Sequence, residues 1–148
     1  MRVIKLNIAK EFPTFEKLKH YFEYDLPSRN PPGKFLLPKG WIAEDGLQPG
    51  ERILFSYRCY IRFVAYSVSG RMKNYNQDQI RYPYFFVINL PARRVNFSLQ
   101  SLEDRLKREK GNVKCIVRTQ GWPKISDTKI TKSIVESLIN EYGEINKG

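Results

Sequence analysis

Two apolar and aromatic runs, 52–57 (RILFSY) and 60–69 (YIRFVAYSVS), are separated by Arg58 and Cys59 alone. Strand-forming residues on both sides of a two-residue spacer mark a β-hairpin, which commits the centre of the chain to antiparallel sheet. A polar stretch over 70–81 leads to a third run at 84–90 (YFFVINL), read as extending past Pro91 through Val95 to Phe97. The apolar density of the three runs predicts that they lie side by side in one sheet.

The flanks read as mixed structure. Residues 2–8 form a short strand with Val3, Ile4, Leu6 and Ile8 apolar, and Thr14 caps a helix in which Phe15, Leu18 and Phe22 share one face. The prolines and glycine of 27–38 predict a surface loop, and Pro49-Gly50 a turn. Ser101 is expected to open a helix with Leu102 and Leu106 as its stripe, closed by Gly111 after Lys107, Arg108 and Lys110. Residues 113–117 (VKCIV) read as a strand. A last helix from near Asp127 carries Ile130, Ile134, Leu138 and Tyr142 at four-residue spacing. These elements do not alternate as βαβ units would. The predicted architecture is therefore α+β, a curled mixed sheet forming a partly open barrel flanked by helices. The length of 148 residues suits one domain spanning 1–148.

The formal charge is +11. A surplus of that size on a small domain points to a polyanionic partner, because Lys and Arg release counterions from phosphates on binding. Its distribution sharpens the point. Between Arg52 and Ser101 stand eight basic residues and a single acid, Asp78, interleaved with aromatic rings. Cations alternating with aromatics suit a surface that grips phosphates and stacks bases, while β-sheet cores also consume such rings.

Catalytic patterns are not found. His20 is the sole histidine, which leaves no His-based zinc set and no nucleophile–histidine pair to assemble. Gly46 and Gly50 lack the Lys-Ser/Thr of a phosphate loop, and the β region is too poor in acids for a metal-dependent nuclease. Cys59 and Cys115 lie in apolar runs and read as buried free thiols. No apolar stretch reaches membrane-spanning length, and the first residues lack the apolar region of a signal peptide, so the expected location is intracellular, in the cytoplasm. The reading is a non-catalytic binding module with neither metal nor cofactor.

Trp41 and Trp122 are the two tryptophans, each in a predicted loop beside a glycine. Rings so placed either cap the core or wall a pocket for a planar base. A methylated base amino group gains dispersion and apolar burial in such a cage. Composition adds Tyr57 to the pocket, and Asp45, in the loop of Trp41, is placed with it.

The order of short motifs resembles the YTH/EVE group of the PUA-like superfamily. Arg2-Val3-Ile4-Lys5-Leu6 stands where YTH domains have their first strand, and Lys39-Gly40-Trp41-Ile42-Ala43 resembles their glycine–tryptophan loop. Pro49-Gly50-Glu51-Arg52, Ile53-Leu54-Phe55-Ser56 and Phe63-Val64-Ala65-Tyr66 follow the central strands. Tyr82-Pro83-Tyr84-Phe85-Phe86-Val87 follows the long aromatic strand, and Val117-Arg118-Thr119-Gln120-Gly121-Trp122 a loop before the last helix. Leu6, Arg58 and Thr119 depart from the serine, asparagine and acid of the pattern. The resemblance implies that Trp41 and Tyr82 are cage walls and that Arg118 meets a backbone phosphate. Arg58, Arg62, Lys73, Arg81 and Lys124 are further phosphate contacts by charge. Within the group the chain is similar to the N-terminal DNA-recognition domains of archaeal McrB-type modification-dependent restriction systems. That implies extrusion of a modified base, N6-methyladenine first, from DNA, with further domains or subunits completing a larger complex. The alternatives are a PUA-like binder of modified or looped RNA and, behind it, a small ASCH-type hydrolase or nuclease.

Overall fold

The computed structural model describes residues 1–6, 10–38, 40–111 and 115–144. Along the chain run β1 (Arg2–Lys5), α1 (Phe15–His20), a π-helical turn (Tyr21–Asp25), α2 (Leu26–Ser28) and β2 (Lys34–Leu37). After these come β3 (Arg52–Tyr57), β4 (Tyr60–Tyr66), β5 (Met72–Lys73), β6 (Tyr84–Val87), β7 (Arg93–Ser98), α3 (Leu99–Lys110) and α4 (Lys129–Tyr142). The expected α+β class holds.

The hairpin forms where its sequence places it. Arg58 (φ 50°) and Cys59 (φ 67°) both adopt the left-handed conformation that a two-residue turn between twisted strands requires. β3 pairs antiparallel with β4 and parallel with β1, and β4 pairs antiparallel with β7, giving a mixed sheet in the order β1-β3-β4-β7. The third apolar run splits: its extension past Pro91 joins the sheet as β7, but its first part does not. β6 instead lies in a second, antiparallel sheet ordered β2-β6-β5. Both edges of β4 are already taken, by β3 and β7, so β6 pairs with β2, a strand inside the proline-rich segment read as loop.

A corner connects the sheets. Ser67 bridges Ile88, Val68 N donates to Val87 O at 2.7 Å, and Asn89 N donates to Tyr66 O at 2.9 Å. β4 ends at Tyr66 because there the chain leaves one sheet for the other. The barrel is thus two sheets meeting at a corner, not a closed cylinder. Within the second sheet, Gly33 lets the chain close on Ile88 just before β2: its φ is +85°, and a Cβ there would fall 2.2 Å from the Ile88 carbonyl oxygen.

β3 is buried on both faces, which explains its unbroken apolar run. Ile53 and Phe55 enter one core with Phe22, Phe35, Phe63 and Phe86, while Leu54 enters another with Val64, Leu102, Leu106 and Leu138. The first core fills the space between the sheets, and the second seats α3 and α4.

Several local expectations shift. α1 is capped by Thr14 as expected, but α3 is capped by Ser98, one turn before Ser101. Gly111 closes α3 with φ 78°, a conformation that suits glycine. On α4 the fully buried face is Thr131, Val135, Leu138 and Ile139, whereas Ile130 and Tyr142 face water. Four-residue spacing drifts around a helix of 3.6 residues per turn, so a stripe at that spacing does not keep one face. β1 ends at Lys5, and Ile8 lies outside the described residues. Of the strand read at 113–117, Val113 and Lys114 lie outside them as well, and Cys115, Ile116 and Val117 are irregular. Neither thiol is buried: Cys59 is exposed on its turn and Cys115 is half-buried. His20 is exposed, 3.5 Å from Asp25.

Candidate nucleic-acid interface

Arg2, at the start of β1, is buried, and its guanidinium donates to Trp122 O at 2.9 Å and Gly46 O at 2.7 Å. One side chain thereby staples together the two loops that carry the tryptophans. Burial pulls its pKa down, with Glu51 opposing. The result is an indole stack: Trp41 and Trp122 lie 5.7 Å apart between ring centroids, at 27° between planes. Trp122 is the inner member. Its indole N–H donates to Lys5 O at 3.1 Å, and its ring meets Phe35 edge-on at 6.4 Å. Trp41 is the outer member, 46% exposed, with its free face to water. At this spacing the indoles leave no slot between them for a base; the stacking surface is the outer face of Trp41.

Tyr82 occupies a different wall. It lines an open cavity of about 640 Å³ with Glu11, Phe12, Tyr21, Arg29 and Phe35. The Tyr82 hydroxyl donates to Glu11 Oε1 at 3.3 Å. Burial, with Glu11 beside it, pushes the Tyr82 phenol up. Arg29 lies 5.0 Å above the Tyr21 ring and donates to its hydroxyl at 3.1 Å. Burial also raises the Tyr21 phenol, with Arg29 opposing. Phe35, a buried core ring, touches both neighbourhoods, meeting Trp122 on one side and lining the Tyr82 cavity on the other, whereas Trp41 does not line that cavity.

The remaining pocket residues divide. Tyr57 is core: it is 4% exposed and its hydroxyl donates to Phe12 O at 2.9 Å, leaving no face for a base. Strand alternation points it inward, which outweighs its composition-based placement in the pocket. Asp45 is exposed in the 41–46 loop, where its carbonyl accepts from Gln48.

Among the cations, Arg58, Lys73, Arg81 and Arg118 are exposed. Lys124 is exposed too, with its ammonium 3.4 Å from Gly46 O and 3.8 Å from Glu51. Arg62 is engaged elsewhere. It packs 3.8 Å over the Phe15 ring and pairs with Glu144 at 3.6 Å, and burial lowers its pKa. Arg71 braces the Trp41 loop by donating to Ile42 O at 3.1 Å.

The 115–119 loop is clamped from two sides. Lys5 donates its ammonium to Ile116 O (2.9 Å), Val117 O (3.3 Å) and Thr119 O (2.6 Å). From α3, the buried Glu103 carboxylate accepts from the amides of Ile116 and Val117. Burial opposes ionisation of Glu103, but the Cys115 thiol, those two amides and Lys107 outweigh it and hold the carboxyl at about 2. Arg118 is therefore presented on a fixed loop. Sequence reading gave no role to the clamp residues Lys5 and Glu103, nor to Arg2, Glu11, Tyr21, Arg29 or Phe35, because most of them act through partners distant in the chain. Arg2 and Lys5 alone had a signal, their place in the first-strand motif.

Among the described residues no group of three or more His, Cys, Asp or Glu side chains is placed to hold a metal ion. Nor is any described helix long and apolar enough to cross a membrane.

These features define an α+β fold of two sheets with an aromatic, cation-edged surface at the loops. No family model and no curated protein matches the chain. Solved structures do. The chain is similar to the YTH domain of the Zygosaccharomyces rouxii MRB1 protein in complex with N6-methyladenosine RNA. The TM-score is 0.55 at 18% identity, covering 92% of this chain and 84% of that one. It is also similar to ASCH from Zymomonas mobilis, with a TM-score of 0.52 at 14% identity, covering 93% and 94%. Both likenesses are of fold.

Proposed function

We propose that this protein is a non-catalytic nucleic-acid-binding module that stacks one methylated base, N6-methyladenine first, on the exposed face of Trp41, with Tyr82 as a further aromatic wall. The observation that carries the reading is the stack itself. Trp41 keeps one large apolar face in water, supported from behind by Trp122, on a loop braced by Arg2 and Arg71. A rigid exposed indole offers base stacking at low entropic cost. Glu11, Arg29 and the two phenols of the adjoining cavity supply acceptors and donors for a base edge. Arg58, Lys73, Arg81, Arg118 and Lys124 are the phosphate contacts.

DNA, within a modification-dependent restriction complex, is the polymer that the resemblance in sequence implies. RNA has its own support, since the YTH structure of like fold was solved with N6-methyladenosine RNA. Titration at fixed salt of four single-stranded oligonucleotides, DNA and RNA, each methylated and plain, tests the proposal. Tighter binding of a methylated strand, lost in Trp41→Ala, is the expected result, and the polymer showing it names the ligand. Equal affinity for methylated and plain strands of both polymers would sink the reading.

A further inference from the structure

The loop 75–82 holds apolar side chains out in water. Ile80 is 94% exposed and Tyr75 81% exposed, the highest values among the described large hydrophobic residues. One exposed apolar side chain is ordinary on a protein surface. Two on one short loop, next to the cavity lined by Tyr82, need a reason.

The loop is built to be stiff. Asn74, 3% exposed at its base, donates its amide to Asp78 Oδ1 and to Tyr82 O, both at 2.8 Å. Its Oδ1 accepts from Asn76 N at 3.2 Å and from Lys34 Nζ at 3.4 Å. Asn74 N donates to Pro83 O, and Tyr82 N to Asp78 O. Both ends of the loop are thus tied to one buried amide. Its shoulders are basic: Lys73 is exposed before it, and Arg81, between Ile80 and Tyr82, lies 5.2 Å from the Tyr82 ring.

We propose that this loop is a wedge for base-paired nucleic acid, with Ile80 and Tyr75 entering the base stack while Arg81 and Lys73 hold the flanking phosphates. The inference rests on the base-binding reading and adds that the ligand is taken from a duplex. Extruding a base breaks its stacking on both sides and leaves an apolar gap. An inserted hydrophobic side chain restores those contacts, as water cannot. Such a side chain must stand in solvent before binding, on a support that does not fold it back onto the protein. Ile80 and Tyr75 meet both conditions. A single strand has no such gap, so the wedge should be irrelevant to it.

The test uses a DNA duplex with one N6-methyladenine beside a 2-aminopurine reporter, and the same strand alone. Because both side chains lie in water, the Tyr75→Ser/Ile80→Ser variant should melt as the parent does. The parent should raise 2-aminopurine emission on binding the duplex. The variant should lose about tenfold or more in duplex affinity, and the emission rise, while its single-strand affinity stays within about twofold. Unchanged duplex affinity, an equal loss on both ligands, or a parent that binds the strand and never the duplex would overturn the wedge. If the parent shows no methyl preference but the variant still loses duplex binding selectively, the base reading falls and the wedge stands.

Discussion

Trp41 rests on Trp122 with ring centroids 5.7 Å apart, yet the two indoles do different work: the outer is 46% exposed, while the inner donates its N–H to Lys5 O. That asymmetry separates stacking from folding. Trp41→Ala should cost about 1–3 kcal/mol of binding to the methylated ligand, the usual range for base–aromatic stacking. Its stability should fall by about 1–2 kcal/mol, less than a fully buried tryptophan would cost, since 46% of its surface already lies in water. Trp122→Ala should destabilise by about 2–3 kcal/mol through lost packing on Phe35 and the lost hydrogen bond. Thermal melts run beside the titrations check both halves. A Trp41→Ala protein that melts normally and keeps its methyl preference would move the pocket elsewhere.

Arg118 and Arg62 make a second contrast. Arg118 is exposed on the clamped 115–119 loop, whereas Arg62 is paired with Glu144 and covers Phe15. With duplex DNA, Arg118→Ala should weaken methylated and plain ligands alike. It should also flatten the slope of log K against log salt by about 0.9, one phosphate's share. Arg62→Ala should leave that slope unchanged and lower the melting temperature instead. Equal slopes for parent and Arg118→Ala would remove Arg118 from the interface.

Glu103 makes the fold acid-sensitive. Its carboxyl sits at about 2, below the usual 4.5. A depressed carboxylate contributes stability in full above its unfolded pKa, and the contribution drains away as pH falls from about 4.5 towards about 2. That share is on the order of 3 kcal/mol. Glu103→Gln should lower stability at pH 7 by about 1–3 kcal/mol and lose less than the parent on acidification below pH 5. Denaturant melts at pH 7 and pH 3 measure this. Parallel losses in the two proteins would show that other carboxylates govern acid unfolding.

The β3–β4 turn is strained at Cys59, whose φ of 67° favours glycine. Cys59→Gly should therefore raise stability by about 0.5–1 kcal/mol, with hairpin register and nucleic-acid affinity unchanged. A lower melting temperature would mean that the side chain contributes more than the backbone strain costs.

The sequence by itself determined what depends on neighbours a few residues apart. The two-residue spacer dictated the β3–β4 hairpin, Thr14 and Gly111 bounded their helices, and the run 52–57 formed a strand, because turn chemistry, capping and periodicity act within one or two turns of chain. The surplus of cations was likewise plain from composition. Tertiary structure decided what depends on partners far apart. β6 left the expected sheet because β7 had already filled the free edge of β4, and β2 emerged from a proline-rich stretch because β6 needed a partner. Tyr57, indistinguishable from Tyr82 by type, turned into the core, while Tyr82 met Glu11 across a separation of 71 residues. Trp41 met Trp122 where long-range contacts, the buried Arg2 among them, hold their loops together. Burial and long-range pairing are settled when the chain closes on itself, and no local pattern encodes which edge or face will remain free.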